Sequence, residues 1–292
     1  MAVLPPPGSR FRVLLIACAV LAQSIGPSAH AWDSSTHRMI TKLAIEALPP
    51  TALKDFMLSN TNQLAQYSVE PDSVLKARYG KSEEIRHYID LERFGADPFA
   101  ALNPDWNVMR QSYGDALLRR SGTLPWTIED FAARANHDWS QHACPDVVRD
   151  SGLLSHYIGD ASQPLHTTMH WDGYRQDRGI HARIEGAADR NIAALAALAR
   201  PEIQIVKIDS VWPVVISEIR ESESLIGAAI KADRDAVANS TRQGYQGALM
   251  LSSEKMLAGQ IARAASVLGS VWQFEWNQAG QPAGCNPQLS LP

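Results

Sequence analysis

The stretch HYIGDASQPLH, residues 156–166, packs two histidines and an aspartate into eleven positions. His156 and Asp160 are four apart, so on a helix both project from one face, with Cβ atoms about 5–6 Å from each other. Leu153, Leu154, Tyr157 and Ile158 surround them with apolar side chains, which predicts a largely buried helix. Pro164 stops it, because proline lacks the amide hydrogen that the next turn needs, and His166 follows beyond the break. A buried imidazole and carboxylate must have partners. On these residues alone two readings are open: a His–Asp hydrogen bond at a helix surface, or donors aimed at a cation.

The helical period continues on both sides. Met39, Ile40, Leu43, Ala44, Ala47 and Leu48 recur at three-to-four spacing behind Ser34 or Ser35 as a cap, and stop at Pro49-Pro50. A second helix is predicted over Thr51–Gln66 and a short one over Glu83–Leu91, followed by a Gly/Pro-punctuated loop through Pro104. Further helices are predicted over Asp105–Arg120, over Thr127–Gln141 with Thr127 as cap, and over Val147–Gln163. His181–Leu198, then about Asp209–Ala232 and Thr241–Asn277, complete the set. No run alternates long enough to argue a sheet, and no repeat or linker divides the chain. The expectation is an all-α fold, a single-domain multi-helix bundle.

Residues 1–31 read as a signal peptide. Arg10 and Arg12 form a basic start, Val13 to Ala22 an apolar run, and Ala29-His30-Ala31 a small-x-small cleavage site. The run is about half the length that a bilayer-spanning helix needs, which favours export over anchoring. Leu15-Ile16-Ala17-Cys18 loosely matches a lipoprotein processing site, but cutting there leaves a very short apolar core. Cleavage after Ala31 makes Trp32 the first residue of a mature domain over 32–292, secreted or periplasmic. It removes two arginines and no acid, taking the formal net charge from −4 to −6. An acidic exported chain is a poor electrostatic match for duplex DNA unless bound metal reverses the charge locally. Cys18 leaves with the signal, and for Cys144 and Cys285 both a disulfide and two buried thiols are open.

Other polar residues fit a plain bundle poorly. His181 and Glu185 repeat the i, i+4 spacing of His156 and Asp160, with His166 between the two pairs. An exposed first turn accounts for His181 and Glu185 taken singly. Asp72, in Glu70-Pro71-Asp72, reads alone as a turn acid, and His87 as a histidine at the core edge. Trp32-Asp-Ser-Ser-Thr-His37 adds one more imidazole. Imidazole and carboxylate together are what zinc takes where thiolates are scarce.

Taken together, these residues resemble the zinc-dependent phospholipase C family, whose fold is shared with single-strand-specific zinc nucleases. HYIGDASQPLH is similar to that family's His-Tyr-x-Gly-Asp-x-x-Gln-Pro-x-His segment, and the likeness runs from Trp32 to about Gly280. It implies three zinc ions. Asp72, His87, His156 and Asp160 would hold one; His166, His181 and Glu185 a second; His37, Asp160 and the free α-amine and carbonyl of Trp32 a third. Asp160 would bridge two ions, and the Trp32 amine exists only after the signal peptide is cut. The chemistry implied is metal-assisted hydrolysis of a phosphodiester, with Asp72 orienting or deprotonating the attacking water.

The fourteen residues between His166 and His181, TTMHWDGYRQDRGI, lack the long nuclease insertion and its Gly-Gly-Asn element. With Glu at 185 they resemble the phospholipase branch. The five-residue step from Trp32 to His37 is nuclease-like instead, and Ser73 stands where choline-selective phospholipases carry Tyr. Trp171 and Tyr174 lie beside His166 as a head-group wall, a base platform or a loop closure, and His170 reads as supporting rather than ligating. The expectation is therefore a monomer with no stable protein partner, acting on phospholipid head groups. Single-stranded nucleic acid (nuclease or 3′-nucleotidase) is the second reading, and an inactive zinc-binding structural protein the third.

Overall fold

A computed structural model describes residues 32, 34–240 and 244–282. Residues 1–31, on which the expected signal peptide falls, residues 241–243 and Cys285 lie outside the described residues. In chain order the α-helices are α1 (Ser34–Ala47), α2 (Ala52–Ser59), α3 (Thr61–Tyr67), α4 (Lys76–Tyr79), α5 (Lys81–Glu84), α6 (Pro98–Ala101) and α7 (Trp106–Ser121). They continue as α8 (Leu124–Ser140), α9 (Cys144–Ala161), α10 (Ile180–Arg190), α11 (Ile192–Ala199), α12 (Val211–Ser224), α13 (Ile226–Asn239) and α14 (Gly244–Gln278). A π-turn over Pro71–Leu75 and short 3-10 turns link some of them, and no strand occurs among the described residues. The fold is all-α.

α9 is the axis of the bundle. It packs against α8, α3, α14, α1 and α12, and every residue from Asp150 to Thr168 is buried. Pro145 opens it with φ already set for a first turn. Polar residues can sit in so buried a helix only because neighbouring helices bring partners to them. The 35-residue α14 runs alongside and closes the core against α1, α11 and α13.

Several predicted boundaries shift for identifiable reasons. Thr51–Gln66 and His181–Leu198 each divide into two helices, at Asn60 and Asn191. At both breaks the asparagine amide turns back to the carbonyl four residues earlier, Phe56 O and Ala187 O, each at 2.8 Å. Such local bonds compete with the helical ladder. Asp209–Ala232 likewise divides at Leu225, and its second half runs on to Asn239. α7 kinks at Gly114, whose φ of 72° no regular helix contains. α8 begins at Leu124 rather than with Thr127 as cap, because Pro125 seats the first turn, and Thr127 Oγ1 donates to Thr123 O at 3.0 Å.

The predicted helix over Glu83–Leu91 is not formed as such. After α5 the chain extends through His87, Tyr88 and Ile89, since its backbone bonds across the fold. Thr123 N donates to Ile85 O at 2.7 Å, Leu124 N to Tyr88 O at 3.2 Å and Ile89 N to His166 O at 2.8 Å. Tertiary hydrogen bonds override the local period here.

Gly159 lets α1 lie against α9. A Cβ at this position would stand 2.8 Å from His37 Nδ1 and 3.1 Å from its Cε1. Gly159→Ala is therefore expected to destabilise the fold by about 1–3 kcal/mol through overpacking. Thermal melting of the chelated protein checks this, with a fall of about 2–4 °C per kcal/mol expected for a chain of this size; an unchanged midpoint would refute the close approach.

Candidate metal centre

The site lies where α9 ends. His156 and Asp160 leave the last turns of α9, and Gln163 turns its side chain back to accept the Leu165 amide at 2.5 Å. That bond seats the 3-10 turn over Pro164–Thr167 and carries His166 away from the helix axis. The Gln163 amide donates to Glu185 Oε1 at 2.8 Å, tying this turn to α10. Asp72 arrives from the π-turn, a wide turn often found at functional sites. His87 comes from the extended segment, His37 from α1, and His181 with Glu185 from α10.

Backbone carbonyls set the imidazoles. His156 Nδ1 lies 2.8 Å from Ser68 O and His166 Nδ1 2.6 Å from His87 O, so each ring donates there and turns a bare Nε2 inward. His87 faces inward through Nδ1, while its Nε2 points at Glu83 Oε1, 3.5 Å away. The Tyr157 hydroxyl donates to the same Glu83 oxygen. Carboxylate or carbonyl groups behind ligating histidines are the arrangement that fixes tautomer and ring orientation at metal sites.

The inward atoms converge in overlapping groups. His156 Nε2 is 3.0 Å from His87 Nδ1 and 3.3 Å from Asp160 Oδ2, and His87 Nδ1 is 3.0 Å from Asp160 Oδ2. His166 Nε2 is 3.1 Å from His181 Nε2 and 3.5 Å from Glu185 Oε1. His181 Nε2 lies 2.5 Å from that oxygen. His37 stacks on His156 with ring centroids 4.0 Å apart and holds Nε2 3.6 Å from Asp160 Oδ1. His37, Asp72 and His156 form a third group of donors. Asp160 Oδ2 thus meets His156 and His87, and its Oδ1 faces His37 and His166, the latter at 3.8 Å.

These residues fit zinc on their own chemistry. Lone pairs crowd one another at separations close to the edge of a tetrahedron with about 2.0–2.1 Å metal–ligand bonds, which is about 3.3 Å. Both ring nitrogens of His37, Nε2 of His87, Nδ1 of His181 and Oδ1 of Asp160 are buried with no hydrogen-bond partner. Of these, His37 Nε2 and Asp160 Oδ1 face each other at 3.6 Å among the donors, and a cation bound there would recover the free energy that such orphaned atoms cost. Electrostatics agrees. Burial holds His37 and His181 in the neutral, ligating form, the latter down to about 4. Burial pushes the Glu185 carboxyl up to about 8, outweighing the opposing pull of His166 and Gln163. Asp160 is held well below the usual carboxylate range: burial opposes this, and the His156 and His166 imidazoles outweigh it.

The remaining expected residues fall out differently. Trp32 is fully buried, and its indole donates to Gly159 O, in the turn of α9 that carries Asp160, at 2.9 Å. Trp171, 45% exposed, stands with its ring 5.4 Å from that of His181 and walls a cavity of about 280 Å³ floored by His87, His166 and His181. Tyr174 is outside that cavity and packs on His170, centroids 4.6 Å apart. Cys144 is disulfide-bonded, while Cys18 and Cys285 lie outside the described residues. Sequence reasoning gave no role to Glu83, Gln163 or Lys76. Glu83 stands four before His87 and Lys76 four after Asp72, a spacing that would have flagged both; Lys76 Nζ is 2.6 Å from Asp72 Oδ1.

Glu83→Gln removes the charge behind His87 while keeping its volume. Zinc affinity is expected to fall about 10–100-fold, as for other groups that support a ligand. Zinc titration against a chromogenic chelator measures it, and unchanged affinity in a folded variant would show that Glu83 serves packing alone.

The comparisons agree with this chemistry. The sequence profile described as "Zinc dependent phospholipase C" matches residues 36–246. Among solved structures, the alpha toxin of Clostridium absonum is similar at 16% identity with a TM-score of 0.52. The Clostridium perfringens alpha-toxin from avian strain SWCP is similar at 16% identity with a TM-score of 0.53. In both cases the match covers 87% of this chain and 66% of the toxin, so this chain spans just under two thirds of their length and the likeness shows the shared fold. No match was found among curated proteins. The profile takes in all five histidine donors and covers well over half of the sequence, and on that ground the chain belongs to the zinc-dependent phospholipase C family.

Proposed function

We propose that the chain is an exported hydrolase of phosphate esters that cleaves phospholipids in the manner of a phospholipase C, with three zinc ions in this centre. The observation that carries the reading is the convergence of imidazole and carboxylate atoms from distant parts of the chain in three groups of donors, most of them buried. His87, His156, Asp160 and Asp72 would hold one ion, His166, His181 and Glu185 the second, and His37, Asp160 and the Trp32 main chain the third. When bound, zinc supplies Lewis acidity toward phosphoryl oxygens and makes water acidic enough to ionise near neutral pH.

The chain's own residues do the rest. Asp72 is the most exposed of the three donor carboxylates, its side chain 12% exposed against 0% for Asp160 and 3% for Glu185. Burial would raise its pKa, but His156, His87 and Lys76 bring it down to about 2. It therefore stays ionised and orients the attacking water by accepting its hydrogen, rather than storing the proton. The attacking water gives up one proton to solvent as its oxygen bonds to phosphorus, the bond from phosphorus to the diacylglycerol oxygen breaks, and that oxygen takes a proton from solvent as it leaves. Met169 and Trp171 line the mouth and offer an apolar wall to the substrate. Among the described residues no helix is long and apolar enough to cross a membrane. The pairing of Cys144 with Cys285, which would tie the tail to the start of α9, belongs to the same exported reading.

Zinc-loaded protein starting at Trp32 is expected to hydrolyse short-chain phospholipid, to lose this on chelation and to regain it with zinc. Asp72→Asn is expected to lower kcat about 10²–10⁴-fold. One extra residue before Trp32 is expected to lower the zinc content, measured by mass spectrometry, by one ion per chain. Cleavage of single-stranded DNA without any phospholipid would establish the nuclease reading, for which the exposed Trp171 ring offers a stacking surface. No hydrolysis of either by fully loaded protein would leave a structural zinc protein.

A further inference from the structure

The cleft does not end at the metal ligands. The cavity over His87, His166 and His181 also touches Lys81, Tyr88, Arg93 and Arg120. The same four residues line a second cavity, of about 420 Å³, which adds Arg119. Lys81, Arg93, Arg119 and Arg120 thus face one space, and no carboxylate lines it. Glu84 and Asp90 stand on the metal side instead.

The four cations are not equally engaged. Arg93 Nε is 2.8 Å from Asp90 Oδ2, which neutralises much of it. Lys81 meets Glu84 at 2.6 Å, but both side chains are more than half exposed, and such pairs are weak. Arg119 and Arg120 make no ion pair or side-chain hydrogen bond among the described residues. In the last turn of α7 they complement the helix dipole, which by itself explains two cations there. It does not explain why they meet Lys81 and Arg93, from other elements, around a hollow that shares four lining residues with the metal cleft. In a chain of net charge −4, four cations lining one hollow, two of them without an ion-pair partner among the described residues, are a local exception. A substrate whose scissile phosphate lies at the metal centre would send its next substituent there, and cations there favour an anion over a quaternary ammonium.

We propose that this basic annex binds a second anionic group of the substrate, so that the chain prefers phospholipids whose head group carries its own phosphate over zwitterionic ones. This rests on the phospholipid reading above. Arg119 and Arg120 act as specificity residues, their guanidinium forks suited to phosphate oxygens.

The test uses soluble dioctanoyl lipids below their aggregation concentration, so that vesicle surface charge cannot imitate head-group recognition. Zinc-loaded protein is expected to show at least a tenfold higher kcat/KM for dioctanoyl phosphatidylinositol 4-phosphate than for dioctanoyl phosphatidylcholine. Arg119→Glu with Arg120→Glu is expected to bring that ratio to about one, whereas Arg119→Lys with Arg120→Lys retains most of it. If the reversal variant fails to fold, Arg119→Gln with Arg120→Gln replaces it, with the same expected loss. A wild-type ratio near or below one, or a ratio that charge reversal leaves unchanged, would overturn the proposal. So would faster cleavage of an oligothymidylate than of either lipid. Titration calorimetry with glycerophosphoinositol 4-phosphate against glycerophosphocholine reads the annex without turnover. If no lipid is hydrolysed, the phospholipid reading fails, and equal binding of the two head groups then overturns the annex as well.

Discussion

A fully buried carboxylate among four imidazoles governs this structure. Asp160 lies within 4 Å of nitrogens from His37, His87, His156 and His166, and no solvent reaches it. Burial alone would drive this group to its neutral form; the surrounding histidines keep it charged. The cluster is stable only as a whole, because removing any partner leaves another buried polar group unmatched. Helices α1, α9 and α10, the π-turn and the extended segment before Leu91 are all held to one point by that requirement.

The scaffold meets it largely with backbone. Carbonyls of Ser68 and His87 aim two rings, and the segment from Ile85 to Asp90 gives up helix to bond with the turn at His166 and with the α7–α8 junction. Side chains that aim the donors, Glu83 and Gln163, are themselves buried and engaged, Glu83 by Tyr157 and Gln163 by Leu165 and Glu185. Rotamers locked in this way hold ligands within the narrow geometric range that metal binding demands.

Charge is distributed as unevenly as polarity. The donors include carboxylates and the chain as a whole is acidic, and yet Lys81, Arg93 and Arg120 share the lining of the cleft with the apolar Trp171 and Met169. On the proposed reading, a phosphodiester in such a cleft would meet both cationic and apolar lining, the means by which one site could select among substituents.

The helical period made the all-α class legible, and the long motif at 156–166 made the donor residue types legible, since i, i+4 spacing on a helix is a local geometric fact. Proline at 164 likewise announced that His166 leaves the helix. The positions at which Asn60 and Asn191 break helices were not legible, because a side chain bonding back to its own helix competes with the ladder by a small margin. Nor was the course of residues 85–90, whose helical pattern yields to partners some 35 to 80 residues further along the chain. The donors' tautomers, the place of Glu83 behind His87 and the meeting of Arg119 and Arg120 with Lys81 and Arg93 were decided by tertiary structure alone. Sequence determines which groups are available and the faces they share within one element; which groups meet across elements is set by packing, where burial leaves each polar atom only the partners that the fold brings to it.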